Sequence, residues 1–300
     1  MALPQPMSPV ALLLVLTAAF THATWNILAK QAAHCRFFNW YYSVGAAVLF
    51  APLAWSVSSD FLPHASFVVA LVLLATSVLH ALYSELLQRG YRAADLSVVY
   101  PVARGTGPLI SFIGAIFVLG EHPSLVATGG ALLVVAGVLV LAGGRRLLDE
   151  LRKPASARGT AVAGLYWGGL IGLAIAAYTL NDGYAVKALL VPPILVDYCG
   201  NLFRALVLAP QALRRRDVVA AEYPRYWKQA LGVSILGPTG YILVLYAMTL
   251  APVSHVAPAR ELSMMIGAWF GARLLGEGHA LQRVIAAALI VVGVGALALG

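Results

Sequence analysis

Arg104 and Arg260 each interrupt an otherwise apolar stretch of this chain. A charge at membrane depth is costly unless paired or hydrated, so each such residue marks a candidate site. Tyr100 precedes Arg104 by four residues, which puts both on one helix face, and Pro101 and Pro108 loosen the helix around them. A buried guanidinium can grip a carboxylate or phosphate at two points, or it can answer an internal acid such as Glu85. Arg260 repeats the arrangement, with Glu261 after it and His255 five residues before it. Neighbours on a helix point about 100° apart, so Arg260 and Glu261 must face different partners. Glu261, with Glu85 as the second choice, is the carboxylate candidate for proton coupling.

Other polar groups extend the set. His22, Trp25 and Asn26 share one face of the first apolar segment and offer an imidazole, an indole and an amide. The alternative role for His22 and Asn26 is polar glue between helices. Tyr178 and Asp182 have the same four-residue spacing, although Asn181-Asp182-Gly183 also reads as a helix end. Tyr83 and Tyr241, with Tyr246 beyond, would add aromatic lining. The candidate cavity is therefore His22, Trp25, Asn26, Tyr83, Tyr100, Arg104, Tyr178, Asp182, Tyr241, His255 and Arg260.

The elements that must position these residues are membrane helices. The 300 residues are 61% hydrophobic and only 11% charged, against about 25% charged in soluble domains. About 20 apolar residues cross the hydrocarbon core as a helix. That length predicts helices near 8–30, 38–57, 65–88, 95–118, 124–143, 159–181, 189–210, 228–249, 253–274 and 279–299. Of the 20 Lys and Arg, Lys187 alone falls in an even-numbered connection, three lie inside segments, and the remaining basic residues occupy odd-numbered connections. By the positive-inside rule the odd connections are cytoplasmic and both termini lie outside, in an inner or plasma membrane.

The pattern is doubled. A shift of 156 residues lays Arg104 on Arg260 and Gly120-Glu121 on Gly276-Glu277, and a shift of 157 lays Lys30 on Lys187. This divides the chain into repeats over 8–143 and 159–299 with a basic linker at 144–158. Five helices per unit insert the two units in opposite senses, the geometry of alternating access. The expected fold is thus all-α, ten transmembrane helices in two inverted five-helix repeats. The Gly-Glu pairs, placed where helices start, are expected to bond exposed amides and act structurally.

Taken together, these motifs resemble the drug/metabolite transporter superfamily, in its ten-helix EamA-domain branch. His22-Ala23-Thr24-Trp25-Asn26 with Lys30, Tyr100-Pro101-Val102-Ala103-Arg104 and Gly120-Glu121 carry the first copy. Ala251-Pro252-Val253-Ser254, Ala257-Pro258-Ala259-Arg260 and Gly276-Glu277 carry the second. The resemblance implies export or exchange of small metabolites such as amino acids through a central cavity. Helix one holds no carboxylate, unlike the small multidrug members of the superfamily, so their proton-for-drug exchange is not expected.

Other functions are disfavoured. The seven histidines lack metal-ligand spacing, no nucleotide-binding run is present, and neither a catalytic residue nor a cofactor is expected. An integral-membrane enzyme or a sensor is the alternative. The net charge of +8 is spread over short loops, so no nucleic-acid partner is expected. The expected partners are a small-molecule substrate and the lipid bilayer, with the chain a monomer or homodimer.

Overall fold

The structure is a computed structural model, and it describes residues 7–32, 34–94, 96–141, 159–267 and 280–300. These residues delimit α1 (Pro9–Gln31), α2 (Phe38–Phe61), α3 (Phe67–Ala93), α4 (Leu96–Val118) and α5 (Leu125–Leu141). They continue through α6 (Gly159–Lys187), α7 (Pro193–Arg214), α8 (Arg216–Leu250), α9 (Val253–Ala259) and α10 (Ala280–Leu299). No strand occurs among the described residues. The expected linker at 144–158 and the pair Gly276-Glu277 lie outside them.

The protein is a multi-pass membrane protein. α1, α2, α3, α4, α6 and α8 are each long and apolar enough to cross a bilayer, while α5 and residues 284–299 form shorter apolar helices. Leu13, Trp55, Phe117 and Leu125 are exposed, as a lipid-facing surface requires. Inside, helices approach through small residues. A Cβ added to Gly168 would stand 2.6 Å from Val102 and 2.9 Å from the Val99 carbonyl, so the glycine strip of α6 seats α4. The main helix pairings are α4 with α6, α5 with α10, α1 with α8, α3 with α6 and α2 with α7.

Three boundaries differ from expectation. α6 runs on to Lys187, so Asn181-Asp182-Gly183 lies within a helix rather than at its end. α8 begins at Arg216, well before the expected 228, and its 35 residues reach about 52 Å, beyond a hydrocarbon core of about 30 Å. Its charged first turns are anchored rather than loose. Glu222 accepts the amides of Arg36 at 3.1 Å and Phe37 at 3.4 Å, and the Tyr41 hydroxyl donates to the Val219 carbonyl at 2.8 Å. Cys35 is buried beside Glu222, and burial, reinforced by that carboxylate, pushes its thiol up to about 12. The third difference is α9, which stops after seven residues. Arg260 and Glu261 form a turn before helical backbone resumes over 262–267. Pro258 removes a donor from this stretch, and its ring disfavours continuation.

Two helix ends reverse in the same way with different residues. α4 ends at Val118 and the chain turns at Gly120, whose φ is 67°, where the Glu121 amide closes on the Ala115 carbonyl at 3.1 Å. After α6, Leu190 takes a φ of 53°, and the Val191 amide closes on the Ala185 carbonyl at 2.9 Å. Glycine adopts this left-handed backbone freely, whereas for leucine it costs about 1–2 kcal/mol.

Candidate functional site

The centre lies where α9 breaks. Arg260 and Glu261 point to different neighbours, as adjacent positions on helical backbone do. Glu261 reaches α4, where its Oε1 lies 3.6 Å from Arg104 Nη1. Arg260 turns to α6, with its guanidinium 6.0 Å from the centre of the Tyr178 ring. Arg104 also stands over Tyr100, at 5.7 Å. Glu261 is 1% exposed, and its Oε2 has no hydrogen-bond partner among the described residues. This second oxygen is an acceptor without a donor, in a place where an orphaned polar atom is costly.

Aromatic rings close the site from three helices. Tyr178 packs edge-on against Tyr83 of α3 at 5.6 Å and lies 6.4 Å from Tyr241 of α8. His80 of α3 stacks on Tyr178 at 4.2 Å and meets Tyr241 edge-on at 5.2 Å. Beneath them Asp182 is fully buried. It accepts hydrogen bonds from the hydroxyls of Thr76 and Tyr241, and His80 Nε2 lies 3.0 Å from its Oδ2. Asn181 completes the knot by donating to Thr76 Oγ1 at 2.7 Å and to the Val72 carbonyl at 3.2 Å.

Most of the sequence-predicted residues converge. Tyr83, Tyr100, Arg104, Tyr178, Asp182, Tyr241, Arg260 and Glu261 form one continuous set. His22 packs edge-on against Trp25 at 4.9 Å. Others stand apart. Asn26 is exposed, and so is Tyr246. Glu85 is exposed and pairs with Arg89 at 2.7 Å, so the acid answering Arg104 is Glu261. His255 is buried at the start of α9 beside Ser254, and its Nε2 has no partner among the described residues.

Sequence reasoning missed His80 and Thr76. A histidine in the apolar run of α3, three residues before Tyr83 on the same face, was the available signal. A second polar stripe on α7 was missed as well. Asn201 donates to Asp197 Oδ2 at 2.9 Å, and Arg204 donates to the Tyr42 hydroxyl at 3.0 Å.

Glu121 has a structural place, on the opposite half from its own. It leaves the α4–α5 turn and accepts the amides of Val253 at 2.7 Å and Ser254 at 2.9 Å, capping the start of α9. Lys187 at the end of α6 donates to the same carboxylate at 3.0 Å and to the Ala251 carbonyl at 3.2 Å. Burial alone would raise this carboxyl, but the Ser254 and Val253 amides and the Lys187 charge together hold it below the ordinary glutamate value of 4.5.

Comparison with known proteins settles the class. The model of the EamA-like transporter family matches twice, over residues 9–143 and 162–299. The chain belongs to that family. It is a membrane transporter of the drug/metabolite transporter type, as the doubled motif suggested. A solved structure described only as "Crystal structure of protein" shares the fold, with a TM-score of 0.68 at 16% identity, and the match covers 95% of this chain and 97% of that one. No curated protein matches this EamA-family chain.

Proposed function

We propose that this EamA-family protein is an alternating-access carrier that exports or exchanges small organic solutes bearing a carboxylate, amino acids among them. The observation that carries the reading is the meeting of Arg104, from the first half, with Arg260 and Glu261, from the second, inside a ring of tyrosines. The arginines suit a carboxylate, the unsatisfied Glu261 oxygen suits an ammonium, and Tyr83, Tyr178 and Tyr241 suit an apolar or aromatic body. Energy comes from the solute's gradient or from ion exchange.

The architecture proposed is ten transmembrane helices in two inverted repeats, 8–143 and 159–299, joined by a cytoplasmic linker. Helix pairing supports it. Exchanging the halves turns the contact of α1 with α8 into that of α6 with α3, and it leaves the contacts of α2 with α7 and α5 with α10 unchanged. The basic odd-numbered connections would face the cytoplasm of a bacterial inner membrane. Reconstituted protein should carry labelled amino acids across vesicle membranes. Arg104→Ala should lose that flux while keeping its thermal unfolding transition, and normal transport by this variant would end the claim that Arg104 recognises substrate.

A further inference from the structure

We propose that His80 and Asp182 form a proton-binding pair that lets the central site accept a solute with one net negative charge. The proposal rests on the carboxylate reading above and adds the coupling ion.

Arg104 and Arg260 bring two positive charges to the centre and Glu261 and Asp182 two negative ones, so the empty centre is neutral when its histidines are neutral. Asp197 and Arg204 on α7 make bonds of their own, Asn201 donating to Asp197 Oδ2 at 2.9 Å and Arg204 donating to the Tyr42 hydroxyl at 3.0 Å. A zwitterion entering this centre also leaves it unchanged. A monocarboxylate brings an uncompensated charge into a low-dielectric region, where an unpaired ion is costly. Uptake of one proton removes that cost.

The geometry selects where the proton goes. Among the described residues His22 of α1 has no hydrogen bond or ion pair to an acid, and its ring packs edge-on against Trp25 at 4.9 Å. His255 stands away from the centre, at the start of α9 beside Ser254. Glu261 is the rival acid, with Oε1 3.6 Å from Arg104 and Oε2 without a partner among the described residues, and undiminished proton uptake in His80→Gln is the result it would give. Tyr83 and Tyr100, like Tyr178 and Tyr241, are neutral phenols that cannot take up a proton at neutral pH. His80 differs on each count. Its Nε2 donates to Asp182 Oδ2 at 3.0 Å, which fixes the tautomer and leaves the lone pair on Nδ1. No hydrogen bond among the described residues engages Nδ1, and the ring keeps 17% of its surface exposed. A proton from water therefore forms an N–H bond at Nδ1, and the resulting imidazolium makes a charge-assisted bond to a carboxylate already in place. Thr76, Asn181 and Tyr241 donate to the same acid, so Asp182 stays satisfied in both states. His80 lies one ring away from Arg260 through Tyr178, close enough for the proton and the bound anion to sense each other.

The test compares phenylacetate, a monoanion, with phenylalanine, a zwitterion of similar body. Calorimetric titration of each into purified protein at about pH 7, in buffers of different ionisation enthalpy, counts the protons exchanged per ligand. Phenylacetate should bind with uptake of about one proton and phenylalanine with about none. His80→Gln and Asp182→Asn should each bring the phenylacetate uptake near zero. Equal proton counts for the two ligands in the wild type, a result that depends on no variant, would overturn the proposal, and so would undiminished uptake in folded His80→Gln. If neither ligand binds, the carboxylate reading fails and the pair is judged alone. Potentiometric titration of the ligand-free protein should then count about one more titrating proton in wild type than in His80→Gln, and identical counts would refute the pair.

Discussion

Glu121 is half-buried and Glu261 buried, each lies at a turn and each meets a basic residue, yet they have opposite surroundings. Glu121 is saturated, with two backbone amides and an ammonium filling its oxygens. Glu261 holds one arginine at 3.6 Å and leaves Oε2 without a partner among the described residues. A saturated acid has no capacity left for a ligand and fixes the structure around it. An unsaturated acid at membrane depth is retained at a stability cost that a bound cationic group would relieve. The contrast separates what joins the two halves from what lies between them.

Substitutions can break that contrast. The largest expected effect is on transport. Glu261→Gln should reduce flux of zwitterionic solutes at least about tenfold while shifting thermal unfolding little. Glu121→Gln should do the reverse, costing about 3 kcal/mol in the unfolding of purified protein while its folded fraction still binds solute, because charged hydrogen bonds to amides are lost. If both variants failed in the same way, the division would be wrong. Gly168→Val should cost about 1–3 kcal/mol by forcing α6 off α4, and with it the base of Arg104.

Acid gives a graded version of the same test. The lowered Glu121 carboxyl contributes stability that is fully present above its ordinary value of 4.5 and is lost as pH falls through the depressed value. Thermal unfolding followed from neutral pH downward should show this loss in the wild type and not in Glu121→Gln. The smallest effect concerns the turn after α6. Leu190→Gly should raise stability by about 1 kcal/mol by relieving a left-handed leucine that Gly120 shows can be a glycine.

The apolar segments were legible because helix length and charge placement report the bilayer directly. The doubled arginines were legible because a guanidinium in an apolar run needs a reason. What stayed hidden was tertiary. The 100° between helical neighbours already separates Arg260 from Glu261, but which helix answers each, α6 for Arg260 and α4 for Glu261, is set by the packing. Asn181-Asp182-Gly183 has the composition of a helix end, yet packing against α3 carries α6 through it and turns Asp182 into a buried acceptor. Glu121 read as a helix cap, but the helix it caps belongs to the other half. His80 was passed over because histidines were sorted by metal spacing, and its partner lies 102 residues away.

The central claim, that Arg104 and Arg260 hold a carboxylate between the halves, is tested most directly by ligand-induced thermal shift with phenylalanine and phenylethylamine. The two share a ring and an ammonium and differ by the carboxylate. Phenylalanine should stabilise the protein and phenylethylamine should not, with the shift absent in Arg104→Ala. Equal stabilisation by the amine would contradict the account.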